Sequence, residues 1–149
     1  MKTCISSYSY HRLLSSGQMN YFEMMDKTKE LGIEAIEFST ITVPEGKTLP
    51  EFAKELKAYA DKIGLPVASY TVGANFMVAD PDAEIERLKG EVDVAVILGA
   101  SVMRHDVMYS FYEGYTGVKS FEAALPVIAP AIRVVAEYAA SKGVVTMSE

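Results

Sequence analysis

Leu31-Gly32-Ile33-Glu34-Ala35-Ile36-Glu37-Phe38 carries the joint on which the fold turns. A glycine there can adopt the left-handed conformation that ends a helix, and the run that follows at once has the composition of a strand. The joint returns three times. Ile63-Gly64-Leu65 precedes Pro66-Val67-Ala68-Ser69-Tyr70, and Leu98-Gly99-Ala100 precedes Ser101-Val102-Met103-Arg104-His105. Ser141-Lys142-Gly143 precedes Val144-Val145-Thr146-Met147. With an opening strand over residues 3–9, five strands separated by helices are predicted. The matched positions Ile5, Ile36, Val67, Val102 and Val145 lie 31, 31, 35 and 43 residues apart, the near-constant period of repeated βα units.

The segments between carry helix grammar. Asn20 and Thr48 each stand three residues before a glutamate, Glu23 and Glu51, the spacing of a capping box. Asp80-Pro81 places a cap before a proline in the first helical turn. Leu49, Phe52, Leu56, Tyr59 and Ile63 form the stripe of a helix lying on a sheet, and Ile85, Leu88, Val92 and Val96 repeat it. Pro126 and Pro130 would interrupt the last helix, so its start is expected near Leu125, with residues 120–124 as an earlier turn.

Alternating strands and helices imply a parallel sheet with right-handed crossovers. An open doubly wound sheet and part of an eight-stranded barrel both satisfy this. After strand one comes Ser6-Ser7-Tyr8-Ser9-Tyr10-His11-Arg12, which is neither a glycine-rich phosphate loop nor an acidic pair. The last strand also runs to Glu149 with no helix to cover it. Both observations favour the barrel. The expected fold class is α/β: parallel (β/α) units of a TIM barrel, about five strands, truncated or a half-barrel, with residues 1–149 as one domain.

Half of the 149 residues are hydrophobic, enough to bury a real core, and the net charge is −6. That balance offers no basic footprint for a nucleic-acid backbone. The longest apolar stretch, residues 92–100, falls short of the roughly 20 residues of a membrane span, and none is expected. The opening residues run straight into a strand without a signal peptide's apolar region. The single Cys4 forms no internal disulfide, which fits a reducing cytoplasm, and its place in a strand suggests a small buried hydrophobe.

Barrels keep their chemistry at the carboxyl ends of the strands. Polar residues gather there: Tyr8, Tyr10 and His11; Glu37 and Ser39; Ser69, Tyr70 and Thr71; Arg104, His105 and Asp106; and Glu149. Glu37 alternates with Ile36 and Phe38. If those face the helices, Glu37 faces the interior, where a carboxylate must be paired, metal-bound or in contact with solvent or substrate. Arg104 and Asp106 can pair with each other and orient a site. His105 is either a core histidine, a surface residue or a ligand. With Glu149 it would offer a divalent ion nitrogen and oxygen ligands, suiting Zn, Mn, Mg or Co.

The four glycine joints with their strands, and above all Gly143-Val144-Val145-Thr146-Met147-Ser148-Glu149, resemble the xylose isomerase-like barrel superfamily. That superfamily includes sugar phosphate isomerases and epimerases, inosose dehydratases and endonuclease IV. The resemblance implies the amino-terminal part of a metal-dependent sugar (phosphate) isomerase or epimerase that moves a proton beside a carbonyl. Glu149 would be the catalytic carboxylate and metal ligand, and His105 a second ligand position. Tyr8, His11, Glu37, Tyr70, Arg104 and His105 would line the pocket of a small sugar or sugar phosphate. The remaining ligands would lie beyond this chain, leaving it catalytically incomplete alone. Two other readings stand beside this one: a phosphodiesterase of endonuclease IV type, and a non-catalytic half-barrel that self-associates as a homo-oligomer through its open edges.

Overall fold

A computed structural model of the protein describes residues 2–148. Five strands, β1 (Cys4–Ser6), β2 (Ala35–Ser39), β3 (Val67–Val72), β4 (Val102–His105) and β5 (Val145–Ser148), form one sheet in the order β1-β2-β3-β4-β5. Every pairing is parallel. Five helices connect them: α1 (His11–Ser15), α2 (Tyr21–Glu30), α3 (Leu49–Ile63), α4 (Pro81–Leu98) and α5 (Phe121–Ser141). A doubly wound sheet reverses its strand order at a switch point. Here the order never reverses, and α2 touches α3, α3 touches α4 and α4 touches α5. The chain is a partial TIM barrel, with helices outside and the other sheet face inside.

The glycine joints act as the sequence suggests. Gly32, Gly64, Gly99 and Gly143 all have φ between 65° and 77°. Both capping boxes form: Asn20 accepts from the Glu23 amide while Glu23 returns a bond to the Asn20 amide, and Thr48 and Glu51 do the same. Asp80 caps α4 through the Ala83 amide at 3.1 Å. The core lies between sheet and helices. Ile36, Phe38 and Met103 present fully buried side chains to Leu56, Leu88, Leu98 and Val135 on the helices. Each such residue is worth roughly 1.5–3 kcal/mol of transfer free energy.

Four expectations are corrected. The opening strand stops at Ser6, because the Ser6 hydroxyl accepts from the Tyr8 amide at 3.2 Å and turns the chain into a 3-10 segment, Ser7–Tyr10. The last helix starts at Phe121 under a Ser120 cap, so Pro126 and Pro130 lie inside it. They stand one turn apart on its exposed side, where the carbonyls left without an amide donor meet water. The same helix, 21 residues with a mean hydropathy of 1.4 over its most apolar window, has the length and composition of a membrane span by those two measures alone, so the expectation that no segment reaches them is corrected. Arg133 and Glu137 hide the run from a search for unbroken apolar sequence, and Ala124, Ile128, Ala131, Val135 and Ala139 bury one face of it. Cys4 is exposed, not buried, since β1 is an edge strand. Its thiol pKa is raised by partial burial and by the nearby Glu37 charge, which disfavours the reactive thiolate.

Candidate functional site

Strand alternation sorts the residues at the carboxyl ends into two sets. Register places Ser6 beside Glu37, Glu37 beside Ser69, Ser39 beside Thr71 and Thr71 beside Arg104. These side chains form a polar band across the inner face. The Ser69 hydroxyl donates to Glu37 Oε2 at 2.8 Å. Arg104 Nη2 stands 3.6 Å from Asp106 Oδ1, just past β4. Glu37, Thr71, Arg104 and Asp106 line a cavity of about 480 Å³, which Tyr8 and Ser9 close on the β1 side. Thr71 Oγ1 is buried there with no hydrogen-bond partner among the described residues. A buried hydroxyl without a protein partner is costly, and this one retains its capacity both to donate and to accept.

Thr40 lies at the rim with φ of 31°, the one described non-glycine residue with positive φ. For a β-branched residue that conformation is strained. It is held by the bond from the Thr40 amide to the Thr71 carbonyl at 2.9 Å. Beside it, the Ser39 amide donates to Ser7 Oγ at 2.8 Å, tying the end of β2 to the turn after β1. A second cavity of about 250 Å³ lies on the far side of Tyr8, with His11, Leu14 and Tyr21 in its wall. The Tyr8 ring stacks on His11, centroids 5.5 Å apart, and remains 70% exposed.

Behind the larger cavity, α4 fixes the loops. Arg87 Nη2 donates to the Gly73 carbonyl at 2.8 Å, and its Nε to Glu84 Oε2 at 2.7 Å. Glu84 Oε1 accepts from the Asn75 amide at 2.9 Å, and Asn75 Nδ2 reaches the Ser110 carbonyl at 3.0 Å. One ion pair thus braces both the β3–α4 and the β4–α5 loops. Burial alone would raise the Glu84 pKa, but the bonds from Arg87 and the Asn75 amide, with the Arg87 charge, outweigh it and hold the carboxyl below its ordinary value. The bond to Glu84 raises the Arg87 pKa in turn.

Tyr70 and His105 stand outside the larger cavity. Both share the parity of Met103, whose side chain packs in the core between sheet and helices. The Tyr70 hydroxyl donates to Glu91 Oε2 on α4 at 2.7 Å. Burial, then the charge and hydrogen bond of Glu91, push its pKa far above the ordinary tyrosine range. His105 is fully buried against Phe76, ring centroids 5.9 Å apart. Its Nδ1 lies 2.8 Å from the Asp106 carbonyl, and since a carbonyl only accepts, Nδ1 carries the proton. Its Nε2 has no partner among the described residues. Tyr8, Glu37 and Arg104 line the larger cavity, and His11 the smaller. Glu149 lies outside the described residues. Among those described, no three His, Cys, Asp or Glu side chains converge to hold a metal.

The sequence reading passed over Ser6, Ser9 and Thr40 as site residues. Ser6 was within reach, since it follows Cys4 at the two-residue spacing of one strand face. Nothing in the sequence marks the positive φ of Thr40.

No curated protein matches the chain. Among solved structures, a protein of Sinorhizobium meliloti 1021 superposes with a TM-score of 0.77 at 21% identity, over 98% of this chain and 49% of its own. D-psicose 3-epimerase of Clostridium cellulolyticum H10, solved with D-tagatose, gives 0.71 at 21% identity, over 98% and 51%. A xylose isomerase-like protein of Mycobacterium smegmatis, solved in complex with magnesium, gives 0.65 at 14%, over 86% and 45%. The chain spans about half the length of the solved structures it matches. Residues 25–149 match the family described as xylose isomerase-like TIM barrel, and the chain belongs to that family.

Proposed function

We propose that this chain forms the amino-terminal wall of the sugar site of an isomerase or epimerase that moves a proton beside a carbonyl. The observation that carries the reading is the convergence of Glu37, Thr71, Arg104 and Asp106 on one cavity at the carboxyl ends of parallel strands. A sugar presents hydroxyls that both donate and accept. Glu37 retains acceptor capacity beyond its Ser69 bond, Arg104 donates to carbonyl or hydroxyl oxygens, and Thr71 Oγ1 does either. Proton transfer itself is assigned to Glu149, the catalytic carboxylate of this reading. The sugar-epimerase neighbours support the substrate class.

The described residues do not fit a divalent ion. No ligand cluster forms among them, and His105 is turned to the helix side of the sheet. A site for Mn, Mg, Zn or Co therefore rests on Glu149 with ligands from outside this chain. The chain alone accordingly binds sugar without turning it over. A cytoplasmic location is part of the same reading.

The test is titration of the isotope-labelled chain with D-tagatose, followed by amide NMR. Shifts are expected at Glu37, Thr71, Gly73 and Arg104, weakened at least tenfold in affinity by Glu37→Gln, about 1.4 kcal/mol. No shift at millimolar sugar sinks the sugar-site reading. Deuterium incorporation into the sugar by the 149-residue chain would instead overturn its catalytic incompleteness.

A second reading has its own observation. On β5, Val145 is 62% and Met147 50% exposed, on the sheet face of their register partners Val102 and Arg104. Self-association through this apolar side covers it. Light scattering is expected to give a mass above 16.3 kDa, and a monomer across the soluble range excludes it.

A further inference from the structure

The two cavities are neighbours, and Tyr8, Ser39 and Thr40 belong to the walls of both. We propose that the smaller cavity is a second subsite for a ring joined to the sugar, so that the ligand is a glycoside or disaccharide and not a free monosaccharide. The inference rests on the reading of the larger cavity as a sugar site.

Chemistry divides the two spaces. Glu37, Arg104 and Asp106 put formal charge into the larger one. The smaller has Leu14, Tyr21 and His11 in its wall and neither a carboxylate nor a guanidinium. A sugar with its hydroxyls suits the first, and a ring with an apolar face suits the second. Size agrees. Small-molecule sites span roughly 300–1,000 Å³, so the cavity of about 480 Å³ holds a ligand, whereas the one of about 250 Å³ holds only part of one.

The partition is the second observation. Tyr8 leaves 70% of its surface exposed, although an aromatic ring gains by burial, and His11 holds it in place by stacking. A ring laid over the exposed part of Tyr8 would cover it. Thr40, the strained residue of the structure, stands where the two cavities meet, and strain of this kind collects at ligand clamps. A ligand bridging the partition therefore touches both the exposed aromatic and the strained backbone.

Three probes separate the outcomes: D-glucose, maltose and phenyl β-D-glucopyranoside, titrated against the 149-residue chain by amide NMR. At least one two-ring probe is expected to bind ten times or more tighter than D-glucose, with added shifts at His11, Leu14 and Thr42. Leu14→Trp, which fills the smaller cavity, is expected to abolish that gain and leave D-glucose unchanged. Thr42→Trp fills it from an exposed position and serves if Leu14→Trp fails to fold. Equal affinity for all three probes overturns the second subsite while the sugar site stands. A gain that survives both tryptophan variants overturns it too. No binding by any probe brings down the sugar-site reading and this inference with it.

Discussion

Glu37 and Phe38 are neighbours in β2, yet one lines an open cavity and the other is fully buried against the helices. The difference runs the length of the sheet. On the helix side Ile36, Phe38, Tyr70, Met103 and His105 are buried, and both polar members are fixed by hydrogen bonds, Tyr70 to Glu91 and His105 to the Asp106 carbonyl. On the inner side Ser6, Glu37, Ser69 and Arg104 keep partial exposure. On the proposed function one face carries stability and the other recognition, so substitutions at adjacent positions should separate the two properties.

The widest separation is expected in β2. Phe38→Ala should cost about 3–5 kcal/mol in denaturant unfolding, through lost burial and the cavity left behind. Glu37→Ala should stay within about 1 kcal/mol while removing sugar binding. Similar losses would mean that both faces are structural. Next comes Tyr70→Phe, expected to cost about 1.5–3 kcal/mol by leaving Glu91 without its buried donor. If sugar affinity also fell tenfold in that variant, the helix side would have a share in recognition.

Thr40→Gly should move the two properties in opposite directions. Glycine takes positive φ without strain, so a gain of about 1 kcal/mol in thermal unfolding is expected, with weaker ligand binding. A loss of stability would show that φ of 31° is not strained in this setting. The smallest effect is in pH. The Glu84 carboxyl is held below its ordinary 4.5, so its contribution is present above that pH and fades as pH falls through the depressed value. Protection factors for hydrogen exchange in the β3–α4 and β4–α5 loops, taken against intrinsic rates at each pH, should fall over that acid range, and Glu84→Gln should flatten the profile. An unchanged profile would remove Glu84 as the brace.

Much of this plan is legible in the chain. The glycine joints give the strand count because a left-handed helix end is a local requirement, and the period equates Ile5 with Ile36 and Ile36 with Val67, which are true register partners. Alternation places Glu37 inside. The same rule carried through β3 and β4 puts Thr71 and Arg104 inside and turns Tyr70 and His105 outward. The sequence reading grouped these four by their nearness to the strand ends and not by parity. A one-residue bulge between Ile36 and Glu37 in the pairing of β2 with β3 also leaves no mark in composition. The cavity walls depend on loops and on Thr40, whose conformation is set by a partner 31 residues away, the Thr71 carbonyl.

The unreversed strand order has a consequence for how the protein is made. Among the described strands each pairs only with its predecessor and its successor in sequence, so none of these pairings waits for a segment synthesised much later. A unit leaving the ribosome finds its template already in place, and order can grow from the amino terminus by successive docking, as in a repeat array. Ribosome-bound chains ending after β3 should therefore already protect the amides of β2, while the β3 amides that donate to β4 gain protection only when β4 has emerged.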